Sequence, residues 1–291
     1  IVSKVLKSDF LTTGPMIERF ENNLKNYCNA KYAITTNSAT SALHLSCLSL
    51  GLSKNDIIWT SPISFVASAN CGIYCGAKVE FVDIDLDTYN ISIEVLKKKL
   101  KITKKNKTLP KILVVVHLGG YSCDMYLIYK LSKIYKFKII EDASHALGGE
   151  YKNFKIGSCK YSDMAVFSFH PVKPITTGEG GAVLTNKKKI AISIEKLRNH
   201  GINAVKSKFI RKNQGPWYYE QTDLGYNYRL SDISAALGVS QLKRLNKFVK
   251  IRNKIFNYYK KSLKNLPIEF QKNQNDIKSS MHLIIIRVPT Y

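Results

Sequence analysis

Short apolar runs alternate along this chain with longer stretches in which apolar residues recur every third or fourth position. YAITT (32–36), DIIWT (56–60), KVEFVDI (78–84), KILVVVHL (111–118), FKIIED (137–142), MAVFSF (164–169) and GAVLTN (181–186) read as strands. Helical patterns lie between them, through SATSALHLSCLSL, FVASANCGIYCG and ISIEVLKKKL and over 123–136 and 187–198. This alternation predicts an α/β fold around a mostly parallel central sheet.

From Gly201 to Tyr228 the chain turns polar and aromatic, which reads as a long functional loop. One helical pattern then runs from Leu230 to about Leu263, with Ser231 or Asp232 as its cap. MHLIIIRVP (281–289) reads as the opening strand of a further domain. The expected organisation is a large domain over 1–245 and the start of a small C-terminal α/β domain over 246–291, incomplete within this chain. Position 1 is not Met. No internal repeat or low-complexity linker is visible.

With 291 residues and 45% hydrophobic positions, the chain is long enough to bury a sizeable core. No run of 18 apolar residues occurs, so no membrane-spanning helix is expected. Lys and Arg total 45 against 21 acidic residues, a formal charge of +24, which favours acidic partners. The lysines are scattered, however, and no basic stripe carries interleaved stacking aromatics, so no nucleic-acid partner is expected. Attraction of a diphosphate-linked sugar fits the charge equally well. The six cysteines sit mostly in apolar, helix-like stretches and read as small buried hydrophobes in a reducing cytoplasm. Cys71 and Cys75 are one turn apart, and no second ligand pair follows at zinc spacing, so no metal site is expected.

Four segments carry chemistry. In SFHPVKPITTGEGGAVLTN (168–186) a strand ends at Ser168 and His170, Lys173 follows, and Gly178, Gly180 and Gly181 permit a tight turn or close backbone approach. In KIIEDASHALGGEY (138–151) a strand delivers Asp142 to its C-terminal end, with His145 three residues on. In open α/β sheets that edge binds ligands. In TTNSATSALHL (35–45), Ser38, Thr40 and Ser41 stand where a helix begins, and free N–H groups with the positive dipole end favour a phosphate there. In SPISFVASAN (61–70), Phe65 sits at a loop–helix joint, where its ring would cover one face of a flat cofactor. Each segment alone also has a plainer reading: an ordinary turn, a loop-capping Asp with a surface His, a Ser/Thr N-cap, a core Phe. Together they supply a phosphate cradle, an aromatic lid, a carboxylate and an amine, the parts that pyridoxal 5′-phosphate requires.

NSATSAL, SPISFVASAN, EDASHALGGEY, SFHPVKPITTGEGGAV and LGYNYRLSDISAALGVSQL resemble, in order and over nearly the whole chain, the DegT/DnrJ/EryC1/StrS family of sugar aminotransferases. The resemblance implies the aspartate-aminotransferase type of fold and pyridoxal phosphate as cofactor. It implies that Lys173 carries the cofactor as a Schiff base, Asp142 pairs with the pyridinium nitrogen, and His145 stands near the phenolic oxygen. It also implies that Phe65 stacks on the ring and that Thr40, Ser41 and Ser168 contact the phosphate. Asn227, in GYNYR, matches a residue that reaches the phosphate in a neighbouring subunit, which implies a homodimer with composite sites. The wording of PISFVASAN and SFHPVKPITTGEGGAV is most like members of pseudaminic acid biosynthesis, which aminate C4 of a UDP-linked 4-keto-6-deoxy-N-acetylhexosamine with L-glutamate as donor.

Three other readings compete. One is a family member acting on a different hexose, nucleotide or the C3 position. Another is a sugar 3-dehydratase, which resembles these enzymes but carries His where Lys173 stands here. A third is a non-catalytic cofactor-binding protein, against which the set Lys173, Asp142, His145 and Phe65 argues.

Overall fold

The structure, a computed structural model, describes residues 1–203, 209–211, 215–272 and 276–289. A central seven-stranded sheet is built from β1 (Tyr32–Thr36), β2 (Ile57–Thr60), β3 (Lys78–Phe81), β4 (Ile112–Val116), β5 (Lys138–Asp142), β6 (Met164–Ser168) and β7 (Gly181–Thr185), in the order β1-β7-β6-β5-β4-β2-β3. All neighbours pair in parallel except at β7, which runs antiparallel to both β1 and β6. The expected mostly parallel α/β architecture is therefore present. Its central strands β4, β6 and β7 are buried at every position, as continuous apolar runs covered on both faces must be.

Helices cover both faces: α1 (Pro15–Cys28), α2 (Ala39–Ser49), α3 (Ala67–Tyr74), α4 (Ile93–Lys105), α5 (Met125–Tyr135), α6 (Lys188–Arg198), α7 (Asp232–Leu242) and α8 (Leu245–Ser262). Alternate residues of one strand feed opposite layers. On β6, Ala165 and Phe167 pack with Phe20 and Leu24 of α1 and Ala235 and Val239 of α7. Met164 and Val166 pack with Leu43 and Leu45 of α2, Cys71 of α3 and Ile194 of α6. Leu113 and Val115 of β4 join a third cluster with Leu96 and Leu100 of α4 and Ile128 of α5. α1 shows why such helices form. Pro15 stands in its first turn, Phe20, Leu24 and Cys28 fall on one buried face, and Asn29 ends it in the left-handed conformation, φ 57°.

Two expectations are corrected. The single helix over 230–263 is two helices, α7 and α8, separated at Lys243 and Arg244. No Gly or Pro marks the break. What changes is the surroundings: six residues of α7 are buried, against only Leu245 of α8. The strand over 281–289 reduces to Ile286–Arg287, paired with Glu269–Phe270. Ahead of it, the His282 and Leu283 N–H groups donate to the Gly119 carbonyl at 2.9 and 3.2 Å, so this stretch is tied to a loop rather than to a ladder. The long loop over 201–228 lies partly outside the described residues. Within it, Ile202–Asn203 pairs with Glu220–Gln221. All six cysteines are free thiols, and only Cys75 is not fully buried.

Candidate active site

Strand register brings the informative residues to one level. Gly181 pairs with both Thr36 and Ser168, Val166 pairs with Asp142, and Asp142 pairs with Val116. The carboxyl ends of β1, β4, β5 and β6 thus open into one cavity of about 450 Å³, the edge where α/β sheets bind ligands.

The α2 N-terminus forms one wall. Ser38 caps the helix, its Oγ accepting from the Ser41 N–H at 3.1 Å. The Ser41 hydroxyl donates to Asn37 Oδ1 at 2.6 Å. Gly181 lets the start of β7 run against this turn, since a Cβ there would stand 2.6 Å from Ala39 N and from the Ser38 carbonyl. Ser38, Ala39 and Thr40 face the cavity, and Ser168 closes the same corner from β6.

Asp142 is buried at the floor. Its Oδ2 accepts from Ser68 Oγ at 2.5 Å, and its Oδ1 accepts from Ser144 Oγ at 2.6 Å and Ser144 N–H at 3.2 Å. The carboxylate is therefore fixed in orientation by α3 on one side and by its own loop on the other, with lone pairs to spare. Phe65, just before α3, lines the mouth; it is 68% exposed, so most of its ring has no protein neighbour.

Lys173 enters from the loop after β6, its N–H donating to the His170 carbonyl at 2.9 Å. The loop closes on itself: Thr177 N–H donates to the Phe169 carbonyl at 2.9 Å, and Gly178 takes φ +81°. Burial holds the Lys173 ammonium below the usual lysine range, and the negative charge of Asp142 opposes that shift. His145 is brought down to about 4, by burial first and by the Lys173 charge second, with Asp142 again opposing. Its Nδ1 accepts from the Gly119 N–H at 3.3 Å, so the ring is neutral with the proton on Nε2.

Of the residues singled out from sequence, Thr40, Phe65, Asp142, His145, Ser168 and Lys173 line this one cavity. Ser41 is buried behind it with its hydroxyl committed to Asn37. Asn227 lies elsewhere, exposed and bridged to Asn199. Sequence reasoning missed Ser68 and Ser144, although both stand inside the quoted motifs. Ser68 stands in the first turn of α3, three residues beyond Phe65, and no local signal singles it out from Ser64. It also missed His282, whose ring centroid lies 4.5 Å from that of His145.

Comparison with known proteins agrees with this geometry. The chain is 45% identical over 283 residues to the UDP-4-amino-4,6-dideoxy-N-acetyl-beta-L-altrosamine transaminase of Campylobacter jejuni subsp. jejuni serotype O:23/36 (strain 81-176), covering 97% of this chain and 71% of that one. Among solved structures it superposes on Helicobacter pylori PseC, an aminotransferase involved in the biosynthesis of pseudoaminic acid, with a TM-score of 0.87 and 34% identity over 99% of this chain and 74% of that one. It also superposes on the PLP form of a Streptococcus pneumoniae sugar aminotransferase, with a TM-score of 0.85 and 27% identity over 99% and 74% of the two chains. The model of the DegT/DnrJ/EryC1/StrS aminotransferase family matches residues 1–291, and the chain belongs to that family of enzymes.

Proposed function

We propose that the chain is a pyridoxal 5′-phosphate-dependent aminotransferase that moves the amino group of L-glutamate to C4 of a UDP-linked 4-keto-6-deoxy-N-acetylhexosamine. The observation that carries the cofactor reading is the convergence of Lys173 and a doubly anchored Asp142 in one cavity, between the exposed Phe65 ring and the α2 N-terminus. These residues fit the group: a helix end for a phosphate, a fixed carboxylate for a ring nitrogen, a bare aromatic face for a flat ring, and an amine for an aldehyde. The sugar follows from the likeness to the Campylobacter transaminase.

When bound, pyridoxal phosphate supplies an electrophilic aldehyde and a protonated ring that accepts an electron pair. The protein's part is positional and protonic. Thr40, Ser168 and the α2 N–H groups hold the phosphate, with Ser41 bracing that turn from behind. Asp142 keeps a proton on the ring nitrogen, and Ser68 and Ser144 keep Asp142 in place. Phe65 covers one ring face and excludes water. Lys173, its ammonium destabilised by burial, is more readily a neutral amine, and its Nζ would hold the cofactor covalently and could take up or release a proton there. His145 offers its Nε2–H at the cavity wall.

Residues 246–291 are read as belonging to a second, smaller domain, because α8 beyond Leu245 has no fully buried residue and only Phe248 and Val249 pack, partly buried, against the large core. A homodimer with composite sites is part of the proposal. The exposed Val66, Ile73 and Tyr74 around α3 and the exposed Asn227 support it. A reducing cytoplasm is also part of the proposal, and the six free thiols support it.

Borohydride reduction of the cofactor-loaded protein, followed by peptide mass mapping, is expected to put the pyridoxyl label on Lys173; a label elsewhere overturns the assignment. With glutamate and a panel of UDP-4-keto sugars, NMR is expected to show a new amine on C4. Amination at C3, or of a sugar on another nucleotide, replaces the substrate and leaves the chemistry.

A further inference from the structure

His282 lies outside the segments read as carrying chemistry, 137 residues beyond His145, yet the two rings are in contact with centroids 4.5 Å apart and planes at 41°. The backbone around it is locked. Its N–H donates to the Gly119 carbonyl at 2.9 Å, its carbonyl accepts from Arg252 Nη1 at 3.3 Å, and Ser280 Oγ donates to the His145 carbonyl at 2.6 Å. Gly120 makes the approach possible, because a Cβ there would stand 2.5 Å from Ser280 Oγ and 3.1 Å from His282 N. Among the described residues, the buried Nδ1 of His282 has no hydrogen-bond partner. A ring that leaves a buried nitrogen unpaired is not placed there for its own hydrogen bonding; what it does make is the tilted ring contact with His145.

We propose that His282 is a positioning residue for the transamination, whose ring packs against His145 and holds that imidazole with Nδ1 toward Gly119 and Nε2 left for the cavity. The inference rests on the reading of His145 as part of the active site. The charged and titratable groups facing His145 are Asp142 at the end of β5, Lys173 after β6 and His282 itself, with Arg252 of α8 behind His282. Cover by the His282 ring keeps water from His145, and burial is the largest cause of its reluctance to take a proton.

The test compares His282→Ala, His282→Gln and His282→Phe in the full chain. Nitrogen-15 NMR of the cofactor-free protein reads the His145 tautomer and titration directly, whether or not the sugar assignment is right. Ala and Gln, which remove the ring, are expected to raise the His145 midpoint by about one pH unit or more, and Phe to keep it near wild type. In the loaded enzyme the acid limb of kcat/KM is expected to move up with Ala and Gln and kcat to fall about tenfold, with Phe restoring most of both. An unmoved His145 titration in both ring-less variants overturns the proposal. So does a Phe variant as impaired as Ala, which would assign the role to the nitrogen rather than to the ring contact. A His145 titration that moves as expected while transamination is absent in wild type would instead sink the functional reading and leave the ring contact's role standing.

Discussion

Ser68 Oγ donates to Asp142 Oδ2 at 2.5 Å, joining the first turns of α3 to the end of β5 across 74 positions of sequence. Ser64 Oγ stands 2.7 Å from Ser68 Oγ and extends the chain of hydroxyls toward the loop that carries Phe65. A hydrogen bond to a charged group contributes about 1.5–3 kcal/mol. Ser68→Ala is therefore expected to lower kcat about tenfold and weaken cofactor retention, because Asp142 loses one of its two anchoring side chains. Steady-state rates and cofactor titration of the variant check this. Wild-type values for both would show that Ser144 alone orients the carboxylate.

At Gly181 the sheet runs hard against the α2 N-terminal turn, the proposed phosphate site. Its missing Cβ would overlap Ser38 and Ala39 backbone at 2.6 Å, atoms that have no rotamer by which to yield. Gly181→Ala is expected to push the α2 N-terminus off β7 and reduce pyridoxal phosphate affinity by about tenfold or more, with a smaller effect on glutamate KM at saturating cofactor. By contrast, Gly178 has nothing within 4 Å of such a Cβ, and only its φ of +81° resists substitution. Gly178→Ala is expected to have the milder effect. Equilibrium dialysis of both variants decides, and equal affinities would remove Gly181 from the cradle.

The fold was largely legible because central parallel strands are unbroken apolar runs and the helices between them carry one-sided apolar patterns. That Asp142, Lys173 and Thr40 share one cavity was legible for the same reason: a strand's carboxyl end in such a sheet, and the loop or helix start that follows it, lies at the ligand edge. What stayed hidden depends on contacts between distant segments. Nothing local in SPISFVASAN says that Ser68, rather than Ser64, reaches Asp142. The apolar run MHLIIIRVP reads as a strand, yet the N–H groups of its first residues go to the Gly119 carbonyl, a partner 163 residues from His282. The break between α7 and α8 carries no Gly or Pro, and follows instead from the end of the core beneath the helix.

Burial lowers Lys173 and Asp142 raises it, which gives a signed pH prediction. The neutral amine is the form that attacks an aldehyde, and a lowered value makes it available at lower pH than the ordinary 10.5. The rate at which cofactor-free protein captures pyridoxal phosphate is expected to rise with pH, with a midpoint below that of an exposed lysine. Asp142→Asn removes the opposing charge and is expected to shift the midpoint further toward acid. Stopped-flow absorbance over a pH series measures both curves. A shift toward alkali in the Asn variant would mean that Asp142 does not act on Lys173 electrostatically.

Asp232 holds two sequence-distant helices, α1 and α7, together. It is fully buried at the start of α7, and its carboxylate accepts from the N–H groups of Gly14, Met16 and Ile17 at 3.0–3.1 Å, satisfying the N-terminus of α1 from more than 200 residues away. Its own N–H donates to the Leu11 carbonyl at 3.1 Å. A carboxylate at a helix N-terminus is stabilised by both the hydrogen bonds and the dipole, and its loss leaves three half-buried donors without that partner. Asp232→Ala is expected to cost about 2–4 kcal/mol, visible as a lower denaturant midpoint at unchanged slope. Asp232→Asn keeps an acceptor oxygen but not the charge, and is expected to recover about half of that loss. Because α1 and α7 pack on the face of β6 opposite α2, the surviving folded fraction is expected to bind cofactor normally. An Ala variant within about 0.5 kcal/mol of wild type would show that water replaces the carboxylate at the α1 terminus.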